Sequence, residues 1–174
     1  EMVLEPLGKN LRSFLRWICV AVVLGLAIGL VGVLFYYALA FATNFRMENE
    51  WTLFLLPAAG LLIVFCYRVC RVEEPKGTNL VIEAVRSDVK IPARMAPLIF
   101  VSTFLTHLFG GSAGREGAAL QLGGSLGNLF GKRLGADSGV RNIYIMCGMS
   151  AAFAALFGTP VASTVFSMEL ISVG

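Results

Sequence analysis

Charge is what this sequence has least of. Aspartate, glutamate, lysine and arginine make up 14% of its 174 residues, against about 25% in ordinary soluble domains. Hydrophobic residues make up 57% and the mean hydropathy is +0.78. A water-soluble core could not hide that much apolar surface, so lipid is the expected solvent. The net charge of +3 is too small to point to nucleic acid. There is one histidine, and the four cysteines (Cys19, Cys66, Cys70, Cys147) form no Cys-x-x-Cys or Cys/His ligand pattern. Metal sites and redox pairs are therefore not expected, and the cysteines read as reduced, buried packing residues. No metal or organic cofactor is implied. A convincing small-residue cleavage site is also missing, and the first apolar run is too long for a signal peptide.

What is present is a series of apolar runs separated by short charged clusters. Trp17 to Phe45 carries no charge. At about 1.5 Å per residue it exceeds a bilayer core of about 30 Å, which implies a tilted helix. Ala21, Gly25 and Gly29 form a small-residue stripe at helical spacing, suited to close helix contact. Arg46, Glu48 and Glu50 mark a polar turn, and Trp51 to Tyr67 is a second uncharged run just long enough to span. The stretch from Arg68 to Arg94 holds six Lys/Arg, with a short amphipathic helix predicted over Asn79 to Arg86. By the positive-inside rule, the basic N-terminus and this stretch face the cytoplasm.

The second half of the sequence is less regular. Met95 to Gly114 ends in a glycine-rich break, Gly117 to Gly131 is uncharged but short, and Asn142 to Met168 is interrupted at Gly158-Thr159-Pro160. Short, broken apolar segments mark helices that stop inside a membrane. Backbone freed there must face protein or a wet cavity, never lipid. This half is expected to line something.

The run Gly110-Gly111-Ser112-Ala113-Gly114-Arg115-Glu116-Gly117-Ala118 places flexible backbone directly before a new apolar helix. The first N–H groups of a helix lack intrahelical partners and carry the positive end of its dipole. Glycine lets an ion approach such backbone closely. Glu116 falls in the first turn, and an intramembrane carboxylate is a functional hypothesis by default. The helix start then reads as an anion site that the Glu116 carboxylate can occupy when no anion does, with protonation releasing it. The plainer alternative is a simple N-terminal carboxylate beside an interfacial Arg115. Gly123, Gly127 and Gly131 continue at four-residue spacing, as a packing face.

Gly110-Gly111-Ser112-Ala113-Gly114 also matches the Gly-x-Ser-x-Gly nucleophile pattern, with His107 five residues upstream of Ser112. An intramembrane serine hydrolase is the rival from another class. Against it, a continuing helix would put His107 and Ser112 on different faces. A non-transporting membrane scaffold is a further alternative, which ion flux in liposomes separates.

Gly114-Arg115-Glu116-Gly117 resembles the signature of the CLC family of anion channels and proton-coupled antiporters. Gln121 and Gly123-Gly124-Ser125 continue the resemblance. So does Phe157-Gly158-Thr159-Pro160-Val161-Ala162, followed by Phe166 and Glu169. The family's first ion-binding loop usually reads Gly-Ser-Gly-Ile-Pro, where this sequence has Gly77-Thr78-Asn79-Leu80-Val81. The usual proline after the signature is Ala118, and Leu170 stands where chloride antiporters carry an internal proton-handling glutamate. All three departures resemble the fluoride-exporting branch.

The resemblance implies an all-α polytopic membrane protein of CLC-like fold, with about eight tilted and broken helices. It implies that residues 1–174 are a single transmembrane domain without a soluble part, the first of two inverted halves. A second half or second copy is then expected to complete the pore, and a homodimer to form through the eighth helix. The implied function is transport of a small halide, fluoride exchanged for protons, in the cell membrane rather than an enzymatic reaction. A chloride channel or chloride/proton antiporter is the alternative within the family. Glu116 would be the gate, with Arg115, Gly117 and Ala118 at the anion from one side and Gly77, Thr78 and Asn79 from the other.

Overall fold

Apolar periodicity and glycine-proline punctuation make helices and the turns between them of this chain, and among the described residues there is no strand. The computed structural model describes residues 4–72, 77–87 and 91–173, with side chains described between 12 and 170. Among these, the order is α1 (Leu4–Glu48), a 3-10 helix η1 (Glu50–Leu55), α2 (Leu56–Val69), α3 (Thr78–Ser87), α4 (Met95–Leu108), α5 (Arg115–Arg133), α6 (Ser138–Phe157) and α7 (Pro160–Val173). The glutamates and arginine at 46–50 close α1 as expected. The second apolar run departs from expectation. Its first turns are a 3-10 helix, and α2 starts only at Leu56 with proline in its first turn. Pro57 lacks the N–H an α-helix interior needs, but a helix start tolerates it.

Among the described residues, three stretches are long and apolar enough to cross a membrane: Arg12–Glu48, Glu50–Val69 and Ser138–Phe157. α4 is apolar but shorter. Large hydrophobic side chains of α1 and α2 lie exposed, among them Leu26, Leu30, Phe41, Leu61 and Phe65. In water this surface would be an aggregation liability; in lipid it is solvated.

α5 is the central helix, packed by α3, α4, α6 and α1. More than half of it is buried, including Ala118, Ala119, Leu122, Gly124, Ser125 and Asn128. Its glycine face does what the spacing predicts. A Cβ on Gly123 would strike the Gly148 carbonyl, one on Gly127 the Tyr144 carbonyl, and one on Gly148 the Gly123 carbonyl. The α5 and α6 backbones therefore touch, as small-residue helix crossings allow.

The stripe on α1 does not behave that way. Nothing lies within 4 Å of a Cβ built on Gly25 or Gly29; the close approach is one turn later, where a Cβ on Gly32 would come within 2.7 Å of Ala155 Cβ. The cysteine expectation also needs correction. All four are free, but Cys19 is exposed and the other three are only half-buried.

Polar ties fix which helix ends lie together. Asn128 Nδ2 donates to the Ile91 carbonyl at 3.1 Å, joining the last turns of α5 to the approach to α4. Arg94 donates to the Cys70 carbonyl at 3.3 Å, joining the end of α2 to the start of α4. Asn142 Nδ2 reaches the Val85 carbonyl at 2.8 Å, tying α3 to α6. Trp17 lies 6.1 Å from Tyr144, ring to ring. One end of the bundle thus collects Arg16, Arg68, Arg71, Arg94, Lys132 and Arg133, while the 46–55 turn lies at the other.

The last helical break is built as its sequence demands. Gly158 adopts a left-handed conformation (φ 70°) and its N–H bonds the Ala154 carbonyl at 2.8 Å, a glycine C-cap. Pro160 then opens α7. Because Gly32, near the middle of α1's apolar run, meets Ala155, this turn sits beside the middle of that run rather than its end.

Candidate functional site

α4 stops at Leu108 because the chain turns at Gly110, which has a φ of 81°. The glycine-rich loop then reaches Gly114, in extended conformation, as the N-cap of α5. Glycine has no side chain with which to cap, and the first backbone bond of the helix, Ala118 N–H to the Gly114 carbonyl, is long at 3.5 Å. The first turn of α5 thus presents N–H groups that no cap from Gly114 satisfies. A helix start in this condition favours an anion through both the free donors and the dipole.

α3 starts beside it. Gly77 has a φ of 59°, which lets the chain turn directly into the helix at Thr78. A Cβ on Gly117 would lie 2.9 Å from Thr78 Oγ1. The hydroxyl therefore rests against bare backbone in the first turn of α5, a place no larger residue could leave open. Farther along, Val81 of α3 fills the space over Gly124, so glycines on α5 let α3 approach along its length.

The seven residues expected at the site fall in two groups. Gly77, Thr78 and Asn79 form the start of α3, with Thr78 half-buried and Asn79 exposed. Arg115, Glu116, Gly117 and Ala118 form the first turn of α5. Arg115 and Glu116 are exposed, Gly117 is half-buried and Ala118 is buried. The two helix starts meet at Thr78 and Gly117, segments far apart in sequence.

Sequence reasoning missed a neighbouring cavity of about 310 Å³ lined by Thr43, Arg46, His107 and the 110–113 loop. The Arg46 stem lies over Gly110, whose missing Cβ would come within 3.1 Å of Arg46 Cδ. Nothing local in the sequence relates Arg46 to this loop. The expectation that His107 and Ser112 face apart is corrected as well. The helix ends before Ser112, and the fold-back brings both residues to the same cavity. His107 Nδ1 is engaged with the Thr103 carbonyl at 2.9 Å, so a backbone carbonyl, not a carboxylate, orients this ring. Among the described residues no group of three His, Cys, Asp or Glu side chains could hold a metal.

A family profile described as Voltage gated chloride channel matches residues 59–173, which include both helix starts. The chain belongs to this CLC family. It is 36% identical over 160 residues to a chloride/fluoride channel protein of Pseudomonas syringae pv. tomato (strain ATCC BAA-871 / DC3000), covering 91% of this chain and 35% of that one. It is 29% identical to the H(+)/Cl(-) exchange transporter ClcA of Cronobacter sakazakii (strain ATCC BAA-894), over 96% of this chain and 39% of that protein. Its fold superposes on the crystal structure of a CLC-type fluoride/proton antiporter with a TM-score of 0.80 and 38% identity, covering 86% of this chain and 38% of the other. The chain therefore spans between a third and two-fifths of the length of these CLC proteins, and its helices follow the CLC architecture.

Proposed function

We propose that residues 1–174 act as the first half of a CLC-type transporter that exchanges fluoride for protons across the cell membrane. The observation that carries this reading is the meeting of two helix starts, α3 at Thr78 and α5 at Gly117, with Glu116 in the first turn of α5. Two helix N-termini lying side by side favour a small anion, and glycine between them keeps the backbone open to it. Fluoride is strongly hydrated, so its site must offer firm donors in place of water. Thr78 and Asn79 each bring a side-chain donor, and Gly117 and Ala118 bring backbone N–H groups. Glu116 competes with the anion for the same positive helix end and leaves when protonated, which links the two movements. The 38% identity to a fluoride/proton antiporter, against 29% to a chloride/proton exchanger, supports fluoride over chloride. The basic end of the bundle faces the cytoplasm.

The test is ion flux from liposomes holding the full-length protein that contains this chain. Fluoride is expected to leave at least about tenfold faster than chloride, a difference of about 1.4 kcal/mol in barrier height. Equal or faster chloride efflux would place the protein in the chloride branch.

In this reading the protein works as a homodimer through α7. Val161, Val165 and Met168 lie exposed on that helix, while Ser163 and Ser167 turn inward and bond the carbonyls of Thr159 and Ser163 at 2.6 and 2.9 Å. The outward face is thus apolar. Thr164→Trp or Val165→Trp is expected to convert the dimer to a monomer in detergent, seen as a later elution volume with unchanged helical content. Parental elution of both variants would move the interface elsewhere.

A further inference from the structure

We propose that the cytoplasmic end of the bundle carries a binding site for one phospholipid with a zwitterionic, primary-amine head group such as phosphatidylethanolamine. Two adjoining cavities make the case. The first, of about 460 Å³, is lined by Arg16 and Trp17 of α1, the 134–137 turn and Tyr144 of α6. The second, of about 230 Å³, is lined by Cys19, Val23, Leu24 and Phe130 and has no polar lining surface. Val20, Leu134 and Tyr144 belong to both. The first chamber, polar by its charged lining residues Arg16 and Asp137, thus adjoins a wholly apolar one along a shared wall.

Three helices agree on which chamber lies deeper. On α1 the polar chamber takes Arg16 and the apolar one Val23, about 10 Å farther along the helix. α5 runs the other way, and its deeper residue Phe130 lines the apolar chamber while Leu134, near its end, lines both. On α6, Asp137 and Val140 line the polar chamber only, and Tyr144, a turn deeper, lines both. The polar chamber therefore lies at the interface and the apolar one in the hydrocarbon, which is the polarity of a lipid. Trp17 and Tyr144, 6.1 Å apart, stand at the junction, where aromatic rings sit in membrane interfaces.

The charges choose the head group. Arg16 and Asp137 line the same chamber, and among the described residues no ion pair joins them. Asp137 caps α6, accepting from the Val140 N–H at 2.8 Å through one oxygen, which leaves its second oxygen outside that bond. A phosphate matches the guanidinium, and an ammonium carrying N–H donors matches the carboxylate. An anionic head group would satisfy Arg16 but meet Asp137 with like charge.

This inference stands apart from the transport reading and is tested by lipid binding, not flux. The measurement is native mass spectrometry of the full-length protein titrated with chain-matched phosphatidylethanolamine, phosphatidylcholine and phosphatidylglycerol. The parent is expected to retain one phosphatidylethanolamine in preference to the other two. Asp137→Asn keeps a capping oxygen and is expected to erase that preference. Arg16→Gln is expected to weaken all three lipids about tenfold. Val23→Trp, at an exposed position on α1, fills the apolar chamber and is expected to abolish retention whatever the head group. Glycerophosphoethanolamine, which has the head group without chains, is expected not to compete. The proposal is overturned if the parent holds phosphatidylglycerol as firmly as phosphatidylethanolamine. It is also overturned if Asp137→Asn keeps the parental preference, if Val23→Trp retains lipid as the parent does, or if the chainless head group competes.

Discussion

Replacing Glu116 with alanine or glutamine is expected to bring anion-driven proton uptake down to the background of protein-free liposomes. The side chain sits in the first turn of α5, where the helix dipole draws negative charge. A carboxylate and an anion cannot share that position, so occupancy by one excludes the other. Binding a proton removes the competitor's charge, and in the proposed exchange that is the coupling step. Glutamine keeps the shape but cannot bind and release a proton; alanine removes the competitor. Both variants should therefore lose coupling while differing in residual anion flux, because glutamine can still obstruct the path and alanine cannot. Proton uptake at the parental rate in either variant would show that Glu116 is not the gate.

The second large effect is structural. Gly123→Leu is expected to lower the melting temperature of the purified protein by roughly 5–10 °C, or to prevent its accumulation in membranes. A Cβ at Gly123 meets the backbone of Gly148 as well as Ala152 Cβ at 2.7 Å. Backbone cannot rotate away as a side chain can, so the two helices must separate and the buried face of α5 loses its packing. Because α5 also carries the candidate site, the α3 start would lose its seat against Gly117. Gly25→Leu and Gly29→Leu are the controls. Nothing lies within 4 Å of a Cβ built at either position, and these changes should alter stability by no more than about 1 kcal/mol. Equal losses at Gly25 and Gly123 would show that the α5–α6 contact is not special.

The two glycine stripes show where sequence reasoning succeeds and where it stops. Gly25-x3-Gly29 and Gly123-x3-Gly127 carry the same spacing, yet only the second lies between touching backbones. Spacing reports that residues share one face of a helix; it does not report what stands opposite. His107 and Ser112 make the same point. A helical register separates them, but the positive φ at Gly110 breaks that register and turns both toward Arg46.

The sequence by itself determined the solvent, the helical class, the breaks at 110–114 and 158–160 and the start of α5 as a candidate site, whereas the α3 segment was named only by the family resemblance and the 3-10 turn before α2 was not foreseen. What it determined follows from local physics: uncharged runs long enough for lipid, glycine and proline that end helices, and a carboxylate at an exposed helix start. Only the tertiary structure decided that the starts of α3 and α5 meet at Thr78 and Gly117, that Arg46 lies over Gly110, and that Arg16 and Asp137 share a chamber. These contacts join residues that are remote along the chain, and which remote surfaces meet depends on how whole helices tilt and pack, a property that no stretch of the chain carries alone.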